Sequence, residues 1–370
     1  MRALVKTAPG PGHVELRRDW PEPVAKPGWV VVAVDACGVC GTDLHIASDE
    51  HKNWPPVVLG HEYTGRIVDV GPLAEESPQR PPTQRPPTQG QPAPGWQVGD
   101  AVVCEQHTLA CGRCFSCRTG AIHLCPDKRS PGWGIDGAFA DLVALPARLL
   151  HRVPDGVSVR AAAVTEPAAI CLTGLDRGGL RAGESVLVIG PGPIGLLSAM
   201  LASAQGAASV LLAGRPSSAS RLAAARTLGL ETATASGADL AGLVASRGAA
   251  GGADLVIETT GSAAGLAQAI GSARRGGRIV CLGLGDGTPV PVPLDDAMAR
   301  SLTIHMSMSS EYTSWDRALA LMAAGRLDAA SITTVYPLEQ YQRAFDDIAE
   351  RSVIKALLAP RPLPEADRHG

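Results

Sequence analysis

The sequence predicts an α/β protein with a β-rich part and a doubly wound parallel-sheet part. Its 370 residues are enough for two or three domains, and 45% of them are apolar, so a sizeable core is available. Between about 156 and 298, apolar strand patterns alternate with Ala-rich helical patterns. This alternation is typical of a parallel sheet with helices on both faces. We therefore expect domain limits at 1–155, 156–298 and 299–370.

Short β patterns dominate the first 155 residues. Segments 29–36 and 63–70 are rich in β-branched residues, and strand patterns return at 100–103 and 138–153. The segment 72–95 interrupts them with eight prolines and a tandem RPPTQ repeat. We expect this segment to be an extended, solvated insertion, which is either a spacer or a PxxP-type docking site for a partner.

The patterns of the central region are regular. The predicted strands are 185–189, 209–213, 255–259 and 278–282, and the predicted helices include 193–205 and 217–228. After residue 300 come a strand (LTIHM), a helix at 314–324 and a strand-rich tail. Residues 186–214 carry no charge, but Gly and Pro punctuate them, so the pattern indicates strand–turn–helix–strand and not one membrane-spanning helix.

Charge and targeting signals exclude several classes of protein. The formal net charge is −3, whereas binders of nucleic acid or anionic membranes carry a basic excess. The N-terminus, MRALVKTAPG, lacks the apolar run of a secretory signal. We therefore expect a cytoplasmic protein with a small-molecule substrate and with neither nucleic acid nor membrane as a partner.

Nine cysteines, an odd number, exclude a complete disulfide framework within one chain. Four of them follow the spacing C-x2-C-x2-C-x7-C in one loop, which closes a tetrahedral zinc site and leaves no position for substrate. An iron–sulfur cluster also takes four thiolates and is the chemical alternative. We predict a structural zinc ion held by Cys111, Cys114, Cys117 and Cys125.

A second set of metal-ligand types is spread over two motifs. Cys40 opens CGTDLH at 40–45, and His61 and Glu62 belong to GHE at 60–62. A thiolate, an imidazole and a carboxylate with an open coordination position form the donor set of a catalytic zinc. Asp43 is suited to orient the imidazole by accepting its other N–H. Glu166, in TEP at 165–167, is a further carboxylate whose alternative role is that of a helix first-turn acid.

A glycine-rich turn predicts a dinucleotide site. The sequence GPGPIG follows the strand pattern ESVLVI and opens a helix, which is the context that makes G-x-G-x-x-G informative. The glycines permit a tight turn and let a pyrophosphate approach the helix N-terminus. The alternative is a plain strand–helix turn. The residues concerned are Gly190, Gly192, Pro193, Ile194 and Gly195.

The turn after the second central strand indicates which coenzyme binds. An NAD site carries an acidic residue about 20 positions after the glycines, where it bonds the ribose 2′-OH. This chain has no carboxylate there. Guanidinium and hydroxyl groups suit a 2′-phosphate, so we expect NADP in preference to NAD. The alternative is that the arginines are a solvated helix start. The residues are Gly214, Arg215, Ser217, Ser218 and Arg221.

With these three signals in this order, the chain resembles the zinc-dependent medium-chain dehydrogenase/reductase superfamily, and within it the sorbitol-type (polyol) and threonine dehydrogenase branch. The resemblance covers nearly the whole chain. The matching segments are CGVCGTDLH at 37–45, GHEYTG at 60–65, CGRCFSCRTGAIHLC at 111–125, DGAFADLVALP at 136–146, TEPAAI at 165–170, GPGPIGLL at 190–197 and ETTG at 258–261.

The resemblance implies a role for each matching residue. Cys40 and His61 are expected as catalytic zinc ligands, and Glu62 as the third ligand. Glu166 is expected to bond the metal-bound water or to exchange as a ligand. The resemblance also implies that Thr42 passes the alcohol proton and that His45 is the outer relay, that Thr260 belongs to the coenzyme site, and that Cys37 and Cys104 have no site role.

The implied fold is a GroES-like catalytic domain interrupted by a Rossmann coenzyme domain, with two zinc ions per subunit and a homodimer or homotetramer. The implied activity is the interconversion of a polar secondary alcohol and its ketone with NADP(H). The alternatives are an NAD-dependent threonine or sorbitol-type dehydrogenase and a non-catalytic zinc- and nucleotide-binding protein. The stretch before Trp315 departs from the polyol branch, which carries an Arg–aromatic pair there, because this chain reads MSSEY at 308–312, with Glu311 as its acid. Glu311 either favours a cationic group on the substrate or is a solvated acid.

Overall fold

The computed structural model describes residues 1–72, 95–235, 237–247, 251–285 and 287–367. Almost all of the predicted insertion at 72–95 lies outside these residues. The chain forms two compact units, of which unit 1 is Met1–Glu166 with Ile332–Gly370 and unit 2 is Pro167–Ser331. These units are defined by contacts within the structure. The domain limits 1–155, 156–298 and 299–370 remain predictions from the sequence.

Unit 1 is β-rich, as the β-branched segments predict. Its first part contains, in chain order, β1 (Ala3–Lys6), β2 (Val14–Arg17), β3 (Trp29–Gly38), α1 (Gly41–Ala47), β4 (Val57–Val58), β5 (Glu62–Val70), β6 (Ala101–Cys104), α2 (Phe115–Arg118), β7 (Leu142–Pro146), β8 (Leu150–Arg152), α3 (Val159–Ala162) and the start of α4 (Thr165–Arg177).

Unit 2 alternates strands and helices. After the remainder of α4 it contains β9 (Ser185–Ile189), α5 (Pro193–Ala204), β10 (Ser209–Gly214), α6 (Ala219–Thr227), β11 (Glu231–Thr234), α7 (Ala238–Arg247), β12 (Ala253–Glu258), α8 (Ala263–Ser272), β13 (Ala273–Cys281), α9 (Leu294–Ala299), β14 (Thr303–Met306) and α10 (Tyr312–Ala323). The chain then returns to unit 1 with β15 (Thr333–Pro337), α11 (Tyr341–Ala349) and β16 (Lys355–Ala359).

Strand β3 is the centre of the main sheet of unit 1. It pairs antiparallel with β5, β7 and β16. Its apolar run is buried in the core of the unit together with Leu59, Phe139, Leu145 and Leu358. In the register of this sheet, Gly38 lies opposite both Glu62 of β5 and Leu357 of β16. Three distant parts of the chain therefore meet at the end of β3.

The sheet of unit 2 is entirely parallel, with the order β11-β10-β9-β12-β13-β14. This is the doubly wound order 3-2-1-4-5-6, in which the direction of strand succession reverses between β9 and β12. Ile189 lies opposite both Ala213 and Glu258. The carboxyl ends of these three strands thus form one edge, where dinucleotide sites lie in such sheets.

The predicted elements are largely observed, with local differences. The β-rich pattern at 138–153 is observed as β7 and β8, which a 3-10 turn at Ala147–Leu149 separates. The predicted helix 217–228 likewise begins as a 3-10 turn before α6. The uncharged stretch 186–214 forms most of β9, α5 and β10. Among the described residues, the structure contains no helix that is both long and apolar enough to span a membrane.

Candidate active site

Three of the predicted ligands come together in unit 1. A sulfur of Cys40, a ring nitrogen of His61 and a carboxylate oxygen of Glu62 all lie within 4.8 Å of one another. Cys40 precedes α1, and His61 and Glu62 lie where β5 begins. The pairing of Gly38 with Glu62 brings these two chain segments together. The donor set fits a zinc ion that keeps an open position.

Asp43 holds two of these ligands in place. It is fully buried; one of its oxygens accepts a hydrogen bond from the backbone N–H of Cys40 at 2.9 Å, and the other lies 3.5 Å from Nδ1 of His61. Burial lowers the pKa of His61, but Asp43 and Cys40 more than offset this, so the pKa lies well above its usual value. Because Nδ1 faces Asp43, Nε2 is the ring nitrogen available to a metal.

Lys355 is a member of this site that the sequence analysis missed. It is 2% exposed; its ammonium forms an ion pair with Glu62 and donates a hydrogen bond to the carbonyl oxygen of Val39 at 2.9 Å. Burial lowers the pKa of Lys355, but the attraction of Glu62 and Cys40 outweighs burial and raises it overall. A lysine that opens the otherwise apolar strand β16 was the available signal.

Glu166 is buried near the ligands but is not part of the 4.8 Å cluster. Burial and the charge of Glu62 raise its pKa to about 8. Its Oε1 has no hydrogen-bond partner among the described residues. A buried carboxyl with a free oxygen can hold a proton or bond a water, which fits either role that the resemblance implies.

The two predicted relay residues lie on α1. The hydroxyl oxygen of Thr42 is 3.6 Å from the sulfur of Cys40. His45 follows three residues later, on the same side of the helix. Its side chain is 56% exposed, and its Nδ1 lies 2.7 Å from a carboxylate oxygen of Glu50. The order from the ligand cluster to solvent is therefore Thr42 and then His45, with Glu50 as a partner that the sequence analysis did not include.

The four-cysteine loop has the geometry of a closed metal site. Its four sulfurs lie within 4.8 Å of one another, and those of Cys111 and Cys117 are 4.0 Å apart. Around a tetrahedral zinc, sulfurs with bonds of about 2.3 Å are roughly 3.8 Å apart. Backbone N–H groups of Arg113 and Cys114 lower the pKa of Cys111 to about 6, which favours the thiolate. Cys37 and Cys104 are buried and outside both clusters.

The glycine-rich turn lies at the carboxyl end of β9 in unit 2. Gly190 has a φ of +106°, a conformation that favours glycine. A side chain on Gly195 would meet the carbonyl oxygen of Gly190 at 1.8 Å, whereas the space beside Gly192 is open. The N-cap residue of α5 is Gly192, which has no side chain to cap the helix, and Pro193 is the first helical residue. The turn and the uncapped N–H groups of the helix, around Ile194, fit a pyrophosphate.

The residues that we assigned to the coenzyme 2′-phosphate follow Gly214, where β10 ends. Arg215 and Ser217 are exposed, and Ser218 and Arg221 are partly buried. Thr260 lies after β12, at the same edge of the sheet. Its backbone N–H and its hydroxyl both donate to Glu258, at 2.7 and 2.5 Å. The predicted coenzyme residues thus come from β9, β10 and β12 and the turns that follow them.

Comparison with known proteins agrees with this geometry. The family model described as alcohol dehydrogenase GroES-like domain matches residues 26–155, and that described as zinc-binding dehydrogenase matches residues 193–324. Sorbitol dehydrogenase of Halalkalibacterium halodurans is 31% identical, covering 97% of this chain and 99% of the relative. L-threonine 3-dehydrogenase of Streptomyces avermitilis is 34% identical, with coverages of 97% and 99%.

Among solved structures, a zinc-binding dehydrogenase from Sinorhizobium meliloti 1021 bound to NADP has a TM-score of 0.84 and 29% identity, covering 97% of this chain and 99% of that one. The chain belongs to the zinc-dependent medium-chain dehydrogenase/reductase superfamily, in its polyol and threonine dehydrogenase branch. It is accordingly an oxidoreductase that uses zinc and a nicotinamide coenzyme on a small-molecule alcohol. Family membership also argues against the non-catalytic alternative.

Proposed function

We propose that the protein interconverts a polar secondary alcohol (a polyol, a cyclitol or an amino alcohol) and its ketone by hydride transfer to or from NADP(H). The observation that carries this proposal is the cluster of Cys40, His61 and Glu62 within 4.8 Å, with the Thr42 hydroxyl beside Cys40. A mixed donor set with an open position and an adjacent hydroxyl is what alcohol oxidation requires.

The residues of unit 1 have three roles, which are metal binding, orientation of a ligand and proton transfer. Cys40, His61 and Glu62 would hold the catalytic zinc, and the ion would supply a Lewis acid that lowers the pKa of the substrate alcohol. Asp43 fixes the ring of His61 through Nδ1. The Thr42 hydroxyl accepts the alcohol proton and passes its own proton on toward His45, which returns it to solvent.

Glu50 orients the ring of His45 through the 2.7 Å contact with Nδ1. Such a contact fixes which ring nitrogen faces Glu50 and leaves the other to exchange the proton. The neighbouring residues Asp49 and Asn53 are bonded to each other, with Nδ2 of Asn53 donating to Asp49 at 3.1 Å. Asp49 and Asn53 therefore do not compete with Glu50 for the hydrogen bond to the ring of His45.

We further propose two zinc ions in each chain, because the described residues form two separate ligand groups. The second ion, held by the four-cysteine loop, has a structural role. We propose a homodimer or homotetramer as the assembly, and light scattering of the purified protein tests this. A monomer at micromolar concentration contradicts it.

NADP is proposed in preference to NAD. The support is the absence of a carboxylate in the turn at 214–218 and the exposed guanidinium of Arg215. The experiment is a side-by-side titration of both coenzymes at fixed alcohol concentration. A lower KM for NADP+ is expected, and a clear preference for NAD+ overturns this part of the proposal.

The substrate class is tested with a panel of polyols, cyclitols and amino alcohols, followed through reduced coenzyme. In the structure, Glu311 lies 3.4 Å from the guanidinium of Arg177, and its carboxylate side chain is 52% exposed. This ion pair neutralises part of the charge of Glu311. We therefore interpret Glu311 as a surface acid and not as a residue that binds a cationic group of the substrate. We therefore expect polyols to exceed threonine as substrates, and the reverse order contradicts this expectation.

A further inference from the structure

Two positively charged side chains of unit 1 lie over one indole ring. The ammonium of Lys52 is 4.8 Å, and the guanidinium carbon of Arg129 4.4 Å, from the ring centroid of Trp54. Neither cation forms an ion pair with a carboxylate in the part of the chain that the structure describes. Two cations on one ring without a carboxylate partner leave a local positive charge that an anion could neutralise.

This pair is connected to the metal ligands through aromatic rings. The backbone N–H of Trp54 donates to the carbonyl oxygen of Trp133 at 3.0 Å. The indole of Trp133 packs edge-on against the ring of His61, with 5.1 Å between centroids, and against His51, with 5.6 Å. A series of contacts therefore leads from His61 through Trp133 and Trp54 to the two cations.

The acidic residues of the same loop are engaged elsewhere. Asp49 accepts hydrogen bonds from the backbone N–H of Gly10 at 2.9 Å and from Asn53. Glu50 is paired with His45. Lys52 is exposed and Arg129 is partly buried. Neither has a carboxylate partner among the described residues, so an anion that reaches them would neutralise both.

We propose that Lys52 and Arg129 bind a phosphate group at the far end of the substrate chain, so that the substrate is a polyol phosphate monoester. This inference rests on the proposed function. Arginine offers a planar fork and lysine a point charge, and both are suited to phosphate oxygens.

The position of the cations favours a long substrate over a short one. A carboxylate next to the reacting carbon, as in a small amino acid, stays beside the metal ligands. A phosphate at the end of a chain of several carbons can reach the cations over Trp54. The apolar indole of Trp133 also suits contact with the C–H groups of a polyol chain.

The test compares sorbitol with sorbitol 6-phosphate. We measure kcat/KM for both compounds at saturating coenzyme in the zinc-loaded wild type, in Lys52→Met and in Lys52→Met/Arg129→Met. Binding of sorbitol 6-phosphate is also measured by calorimetry in the absence of coenzyme, so that no turnover occurs. The matched control is Lys26→Met, because the ammonium of Lys26 lies 6.0 Å over the ring of Trp29. Trp29 opens β3, roughly 30 Å along the strand from Gly38.

The wild type is expected to prefer the phosphate ester by at least tenfold in kcat/KM. The double variant lowers this preference by roughly 10- to 100-fold and weakens calorimetric binding to match, as loss of charged hydrogen bonds predicts. Lys26→Met leaves the preference unchanged. Since Lys52 is exposed, the single variant keeps the test valid even where the double variant is unstable.

Equal kcat/KM for the two compounds, or an unchanged preference in both variants, overturns the phosphate site and leaves the proposed function intact. A second outcome is that the wild type binds sorbitol 6-phosphate and the variants do not, while neither compound is oxidised. This outcome supports the phosphate site and counts against the proposed function. A raised KM for NADP+ in the variants, with the ester preference retained, assigns the cations to the coenzyme and overturns the inference. Inorganic phosphate that competes only with the ester supports it.

Discussion

Replacing Lys355 with Met removes the positive charge that faces Glu62 while keeping a side chain of similar length. Lys355 is 2% and Glu62 1% exposed, so the remaining carboxylate stays buried, with Glu166 nearby. Breaking a buried pair by removing one partner costs about 3–5 kcal/mol. The lost hydrogen bond to Val39 adds to this cost. The total is a large fraction of the stability of about 5–15 kcal/mol that is usual for a folded protein.

The free energy of unfolding is measured by urea denaturation of the zinc-free protein. A separate hydrogen-exchange experiment on peptides that cover β5 and β16 reports the local stability around the ion pair. Lys355→Arg keeps the charge and is expected to recover part of the stability. Glu62→Gln/Lys355→Met removes both charges and is expected to be more stable than Lys355→Met alone, since no uncompensated ion remains. The pKa of Lys355 is raised above 10.5, so its stabilising effect is present below that pH and is lost only as the pH rises through the folded-state value.

Added zinc should reduce the cost of Lys355→Met, because Glu62 then faces the metal cation. A destabilisation below about 1 kcal/mol would refute the reasoning, since exposed ion pairs are worth that little. A double variant as unstable as Lys355→Met would do the same. It would show that the cost comes from packing and not from the buried charge of Glu62.

Three further predictions concern other parts of the two sites. The pKa of Glu166 is raised from 4.5 to about 8, so the native zinc-free protein keeps a proton that the unfolded chain loses between these pH values. The free energy of unfolding should therefore fall as the pH rises from 4.5 to about 8. Glu166→Gln should flatten this pH dependence in urea titrations, and an unchanged pH dependence contradicts the assignment. Cys114→Ser should lower bound zinc from two ions to one per chain in elemental analysis, and retention of both ions argues against a closed four-thiolate site. Arg215→Asp should raise the KM for NADP+ by roughly 10- to 100-fold and improve the use of NAD+, whereas an unchanged coenzyme ratio would identify Arg215 as a solvated residue.

Local spacing made some sites predictable from the sequence. The four loop cysteines lie within 15 residues, so their spacing alone indicates a common ligand. The glycines at 190–195 form a single turn whose need for a positive φ and close approach is visible in the motif. In both cases one short segment contains the whole geometry, and tertiary structure adds little to it.

The catalytic cluster was harder to predict, because its members are distant in sequence. Cys40 and Glu62 meet only through the pairing of β3 with β5, so the sequence showed ligand types, and the resemblance assigned their roles. Lys355 is nearly 300 residues from Glu62 and reaches it through the pairing of β16 with β3. A lysine at the start of an apolar strand is a signal, but nothing local identifies its partner.

The most direct test of the central claim is a paired measurement of zinc content and alcohol oxidation in Cys40→Ser. Its matched control is Cys104→Ser, which changes a buried thiol outside both ligand clusters. We predict that Cys40→Ser loses one of two zinc ions and at least about a thousandfold in kcat/KM, as expected when a catalytic metal is lost, while the control keeps both. Retention of wild-type turnover by Cys40→Ser would contradict the account.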